Sequence, residues 1–165
     1  MDAAGPVRVG FGYDIHRLVE GRPLVLGGVH FESSRGLLGH SDADVVCHAL
    51  SDALLGALNL GDIGMHFPPS DPKWKDANSL DILDQVARMV ADRGGRIQNV
   101  DVTVVAESPK IAPRSLEMKR LLAAAMNLEV DRISIKATTN EGLGPEGRGE
   151  AISATAACLV SPGCA

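Results

Sequence analysis

The run S-D-A-D-V-V-C-H-A-L-S-D-A-L-L-G-A-L, residues 41–58, places apolar side chains at Val46, Ala49, Leu50, Ala53, Leu54, Ala57 and Leu58. That is the spacing of a helix burying one face. Ser41 followed by Asp44 resembles a capping box with Asp in place of Glu, so the helix is expected to start near Asp42. Asp44, His48 and Asp52 fall four apart and predict a polar stripe that faces water or a site.

Working outward, Val7 to Phe11 and Leu24 to Leu26 read as strands, with Gly12 to Pro23 as a loop between them. Gly61 to Asn78 shows no periodicity and is broken by Pro68, Pro69 and Pro72, which predicts a long loop able to act as a lid. Ser79 can cap a second helix with Leu83, Val86, Ala87 and Val90 on its face, stopped by Gly94-Gly95. Pro113 suits the first turn of a third helix, and Asn127 can end it. Strands follow at Val100 to Ala106, Ile133 to Thr138 and Ala151 to Val160. The expectation is an α+β, two-layer fold: a mixed four-stranded sheet, three helices on one face, and a small β-hairpin. Residues 1–165 read as one domain, with 1–6 disordered and 161–165 a tail.

The chain of 165 residues is 45% hydrophobic but only 3% aromatic, so its core must be built from Ala, Val, Leu and Ile. A net charge of -5 with no basic run argues against nucleic acid as a partner. No apolar run reaches the roughly 20 residues that span a bilayer, and the N-terminus has no signal or transit character. Cys47, Cys158 and Cys164 are odd in number and lack C-x-x-C spacing, so they are expected to be reduced and the protein cytoplasmic.

Asp14-Ile15-His16 sets a carboxylate and an imidazole two apart, which in an extended segment points both to one side and turns Ile15 inward. His48 is the best third ligand for an open metal site. Taken alone, D-x-H more often marks a surface loop, and a lone helix histidine is more often solvated. Cys47 points about 100° away from His48 on a helix and reads as core. His40 and Ser41 stand at the helix start, where free N–H groups attract anions; plain capping by Ser41 is the simpler reading. K-A-T-T-N-E-G, Lys136 to Gly142, offers hydroxyls and a carboxylate at a strand end, as either a phosphate and Mg²⁺ site or an ordinary turn.

Together, D-I-H at 14–16, G-L-L-G-H-S-D-A-D-V-V-C-H-A-L at 36–50, G-D-I-G at 61–64 and K-A-T-T-N-E at 136–141 resemble the 2-C-methyl-D-erythritol 2,4-cyclodiphosphate synthases. The resemblance runs from about Val7 to Val160. It implies a metal-dependent phosphorus–oxygen lyase of the non-mevalonate isoprenoid pathway. In that reaction the 2-phosphate of 4-diphosphocytidyl-2-C-methyl-D-erythritol 2-phosphate attacks the β-phosphate of the same molecule and CMP leaves. A metal-dependent phosphohydrolase and a non-catalytic trimeric zinc scaffold are the alternatives.

By the same resemblance, Asp14, His16 and His48 hold one Zn²⁺ per subunit, and Glu141 approaches a Mg²⁺ or Mn²⁺ on the substrate diphosphate. His40 and Thr139 stabilise the transition state. Ser41, Asp62, Ile63, Gly64, Phe67 and Asp71 lie near the methylerythritol moiety, and residues 65–77 form a flexible flap. Ala106, Lys110, Ile111, Ala112, Ala137, Thr138 and Thr139 map to the cytidine pocket, which the neighbouring subunit of a homotrimer supplies. Arg148 matches the arginine closing an apolar cavity on the trimer axis, where Tyr13 and Pro145 replace phenylalanines common in relatives and Thr155 replaces a glutamate found in some.

Overall fold

Val9, Phe11, Tyr13 and Ile15 alternate with Gly10, Gly12, Asp14 and His16, and in the computed structural model, which describes residues 7–162, this run is one long strand. In chain order the elements are β1 (Arg8–Glu20), β2 (Leu24–Leu26), β3 (Val29–Phe31), β4 (Arg35–Leu37), α1 (Val45–Ala57), α2 (Ile63–His66), α3 (Ser79–Asp92), β5 (Gly95–Val105), α4 (Ser115–Met126), β6 (Ile133–Thr138), α5 (Gly144–Gly147) and β7 (Ala151–Pro162). The expected loop at 12–23 is therefore mostly strand. Its backbone groups pair with β7 as far as Arg17↔Ala151, then with β4 from Leu18↔Leu37 to Glu20↔Arg35.

The main sheet has five strands in the order β4-β1-β7-β5-β6, one more than expected, with β5 and β6 parallel and the other pairs antiparallel. The added strand, β4, is only three residues long and carries too little pattern to be read from sequence. β2 and β3 form the separate hairpin. The three main helices α1, α3 and α4 contribute Leu50, Leu54, Leu83, Met118 and Leu122 to a core completed by Val100, Val102, Val104 and Ala154. The segment expected to be all loop contains α2 and a 3₁₀ turn at Pro72–Trp74. β7 continues to Pro162, into the expected tail; residues 1–6 and Cys164 lie outside the described residues.

What fixes the height of α1 above the sheet is the absence of side chains beneath it. A Cβ on Gly12 would stand 2.0 Å from the carbonyl oxygen of Ala49, and one on Gly10 would stand 1.8 Å from that of Ala53. Burial of Leu50, Leu54 and Leu55, each worth ~1.5–3 kcal/mol, holds the helix in place. The glycines let its backbone rest directly on β1.

The helix does not start as a capping box at Ser41. Asp44 is its N-cap, fully buried, and its carboxylate accepts from Val46 N and Cys47 N within the helix and from Gly27 N and Gly28 N of the hairpin turn at 2.9 and 2.7 Å. Both turn glycines have positive φ. The polar stripe expected to face water or a site thus breaks at its first member, because four backbone donors solvate Asp44 internally. Asn78 caps α3 in place of Ser79, which is its first helical residue, and Asn127, at a left-handed φ of 49°, ends α4 as expected.

Opposite the helices, Val9, Phe11 and Tyr13 are 71, 68 and 49% exposed. Ile15 belongs to this open face, 37% exposed, and does not turn into the core. The even-numbered positions from Gly10 to His16 lie on the face of β1 that α1 covers.

Gly12→Ala is expected to destabilise the fold by at least about 3 kcal/mol, because a backbone carbonyl cannot yield to the new methyl. Gly56→Ala, on the exposed side of α1 with nothing within 4 Å, is expected to stabilise it by about 0.5–1 kcal/mol. Urea unfolding of the two variants checks the contrast.

Candidate metal centre

Strand alternation puts Asp14 and His16 on the face of β1 that α1 covers, and the contact at Gly12 brings the helix down so that His48 meets them. Asp14 Oδ2 lies 3.0 Å from His16 Nε2 and 2.9 Å from His48 Nδ1, and the two ring nitrogens are 3.3 Å apart. A four-coordinate ion with ligands at about 2.0–2.1 Å has ligand–ligand edges of about 3.3–3.4 Å. The three atoms therefore already form close to one face of such a tetrahedron, and these residues fit a divalent cation. Among the described residues this is the one group of three or more His, Cys, Asp or Glu with such spacing.

His16 Nδ1 donates to the carbonyl of Leu38 at 2.7 Å, which leaves Nε2 to face the cluster. Arg22 holds the segment that supplies this carbonyl, donating from Nε to Leu37 O and from Nη2 to Ser41 O, both at 2.7 Å. Burial opposes ionisation of Asp14, but the hydrogen bonds from His16 and His48 outweigh it and hold the carboxyl well below the usual range. For His16, burial pulls the pKa down, and the bond to Asp14 more than reverses this. Cys47 is buried beside Asp44, and burial pushes its thiol far up, so it is a core residue and no ligand.

Near the cluster, Ser41 Oγ is 3.1 Å from His48 Nε2, and the neighbouring residue His40 is exposed. Asp62 caps α2, whose first turn contains Ile63 and Gly64, while Asp52 accepts from Ile63 N at 2.7 Å. Phe67 ends α2 and meets the Trp74 ring edge-on at 4.9 Å between centroids; Asp71 caps the turn that carries Trp74. Residues 76 and 77 are stitched to the metal side, Asp76 N donating to His40 O and Asp42 N to Ala77 O.

The remaining expected residues gather elsewhere. Thr139 Oγ1 donates to Glu141 Oε1 at 3.2 Å just beyond β6, where Asn140 N also donates to Glu107. Ala106 and Ile111 are buried close by, Lys110 and Ala112 are exposed, and Ala106 N bonds Thr138 O. Asp14 pairs with Ala154, Ala154 with Val104, and Val104 with Ala137, so the two groups share a row across the sheet. Three strand spacings put them about 14 Å apart. Within one chain, Glu141 and Thr139 are not brought to the Asp14–His16–His48 cluster. Arg148, in the turn that precedes β7, pairs with Glu150 at 3.0 Å, both side chains exposed. The sequence reading missed Arg22, Asp42 and Ser79; a serine as the first buried residue after a polar loop was the available signal.

Residues 7–161 match the YgbB family. A 2-C-methyl-D-erythritol 2,4-cyclodiphosphate synthase of Synechococcus elongatus is 61% identical over 153 residues, covering 93% of this chain and 96% of that protein. A solved 2C-methyl-D-erythritol-2,4-cyclodiphosphate synthase with bound CDP superposes with a TM-score of 0.85 at 40% identity, covering 93% of this chain and 99% of that one. The bifunctional IspDF of Campylobacter jejuni gives a TM-score of 0.92 at 40% identity over 95% of this chain, which spans 42% of that longer protein.

A cation needs His16 without its proton, while Asp14 stays ionised through the neutral range. Apparent Zn²⁺ affinity is therefore expected to fall with decreasing pH by about tenfold per unit for one competing proton. Because the His16 pKa is raised, the break in slope is expected above 6.5, its ordinary value. Calorimetric titrations across a pH series check this, and a break below that value would remove His16 from the ligand set.

Proposed function

The chain belongs to the YgbB family together with the 2-C-methyl-D-erythritol 2,4-cyclodiphosphate synthases, and from this premise we infer how its own residues carry out that cyclisation. The enzyme converts 4-diphosphocytidyl-2-C-methyl-D-erythritol 2-phosphate to the 2,4-cyclodiphosphate and CMP, a step of the non-mevalonate isoprenoid pathway. An oxygen of the 2-phosphate forms a bond to the β-phosphorus, and the bond from that phosphorus to the bridging oxygen of CMP breaks. No protein nucleophile and no water enters the balance.

The observation that carries the assignment is the triangle of Asp14, His16 and His48 at the edge lengths of a tetrahedral site. These residues would hold Zn²⁺, and Glu141 would approach a Mg²⁺ or Mn²⁺ bound with the substrate diphosphate; the ions would supply charge stabilisation to the phosphoryl oxygens. His40, exposed beside Ser41 in the chain, and Thr139 donate to oxygens that gain charge during transfer. Ser41, Asp62, Ile63, Gly64, Phe67 and Asp71 embrace the methylerythritol moiety, with Asp62 accepting from its hydroxyls.

The functional unit is a homotrimer, as the family resemblance implies, and two features of the single chain support contact with a second subunit. The Thr139–Glu141 group lies about 14 Å along the sheet from the histidines, a separation that supports a second subunit bringing the two halves of a site together. Val9, Phe11 and Tyr13 leave an apolar strip on the open face of β1 for that contact. In this arrangement Ala106, Lys110, Ile111, Ala112, Ala137 and Thr138 of one subunit receive the cytidine while its neighbour holds the zinc. Arg148 closes the axial end. Residues 1–165 act as one domain in the cytoplasm; among the described residues no helix is long and apolar enough to cross a membrane. The 65–77 segment orders over the substrate.

Phosphorus NMR of the protein with substrate, Zn²⁺ and Mg²⁺ is expected to show CMP and the cyclic diphosphate, both lost with a chelator. Release of inorganic phosphate would point to a hydrolase, and binding without turnover to a scaffold. His48→Ala is expected to lower kcat/KM at least about a hundredfold with helix content unchanged, since it removes a ligand and Ala is the better helix former.

A further inference from the structure

Ser79 is fully buried at the start of α3, although its side chain caps nothing there; Asn78 performs that task. Its hydroxyl instead stands between two elements. Ser79 Oγ lies 2.5 Å from Asp42 Oδ1 on one side and 3.0 Å from His48 Nε2 on the other. Asp42 Oδ2 also accepts from Ser79 N at 3.0 Å, and Asp42 Oδ1 accepts from Asp44 N at 3.2 Å. The carboxylate is thus fixed at both oxygens.

The chemistry of these groups sets the direction of the chain. A carboxylate only accepts, so the hydroxyl hydrogen of Ser79 is committed to Asp42, and the lone pairs of Ser79 Oγ are turned toward the imidazole. Two lone pairs facing each other at 3.0 Å would repel, so Nε2 of His48 carries a proton. The oxygen of Ser41, which already accepts from Ala43 N, lies 3.1 Å from the same nitrogen and can share that proton. Nδ1, on the other side of the ring, faces Asp14, to whose carboxylate it donates in the metal-free protein, and it is the nitrogen that would exchange its proton for a cation.

We propose that Asp42 and Ser79 are positioning residues, which hold the proton of His48 on Nε2 and so present Nδ1 to the cation site. Outer partners of metal-binding histidines commonly contribute about 10–100-fold in metal affinity. The inference goes beyond the assignment of the three ligands and rests on reading their cluster as a metal centre. It also gives the 61–78 segment a direct mechanical link to that centre, because Ser79 is the next residue along the chain and Ala77 is bonded to Asp42.

Zinc affinity, measured at one fixed pH by competition with a chromophoric chelator, is expected to fall about 10–100-fold in Ser79→Ala. Asp42→Asn is expected to lower it also, and the double variant to lose no more than Ser79→Ala alone, because both act along one chain of bonds. Ser51→Ala removes another buried hydroxyl, bonded to Cys47 O, and is expected to leave the affinity unchanged. Affinity of Ser79→Ala within about twofold of wild type would overturn the proposal. Nitrogen-15 NMR of the metal-free wild type decides it without any variant: a proton on His48 Nε2 is expected, and a bare Nε2 refutes the relay. Failure of the wild type to bind zinc at all, with Nε2 still protonated, would count against the metal reading and leave the relay standing.

Discussion

The contact of the α1 backbone with the two glycines of β1 is the constraint on which the rest of the structure depends. A helix normally stands off a sheet by the length of the side chains between them, and here Gly10 and Gly12 remove that spacer. The gain is positional. His48 comes within 2.9 Å of Asp14 without any long side chain reaching across a gap. Asp44 then fixes the helix along its own axis, since its buried carboxylate binds both the first turn of α1 and the hairpin turn at Gly27 and Gly28. Height and register are set by separate devices, one steric and one electrostatic.

The same economy explains why the core is built almost without aromatic residues. Ala49, Ala53, Ala154 and Ala156 are all buried where helix and sheet meet, and bulkier groups there would lift the helix off the glycines. The larger apolar side chains of β1 are displaced to the opposite face, where Val9, Phe11 and Tyr13 stay open in the single chain. Close packing on one side of the strand and an uncovered strip on the other are two results of one alternating pattern. A strand that builds half of a site thereby also offers the surface through which the other half can arrive.

Much of this was legible in the sequence, and the gaps have physical reasons. Periodicity located α1, α3, α4, β6 and most of β7, since long amphipathic elements repeat their pattern several times. The second half of β1 was hidden because glycine, charged and apolar residues alternate there according to a site on one face and an open surface on the other. β4, three residues long, has no room for a pattern. The candidate cluster of Asp14, His16 and His48 was found by spacing, because two share a strand face and the third sits on a recognisable helix. Asp44 was placed on a stripe facing water or a site, since a carboxylate satisfied by four backbone N–H groups looks in sequence like any other polar position. Asp42 and Ser79 stand 37 residues apart and meet only through tertiary structure, so no local signal joins them.

The chain contains one tryptophan and one tyrosine. That tryptophan, Trp74, lies in the segment between α2 and α3, edge-on to Phe67 and with the Lys73 ammonium 4.4 Å from its ring centre. A poverty of aromatic residues, imposed on the core by its glycine contact, leaves the emission spectrum of the whole molecule in the hands of a single indole next to the metal side. The protein carries its own optical label there, and fluorescence can follow the motion of that segment with no dye attached and almost no background from the scaffold.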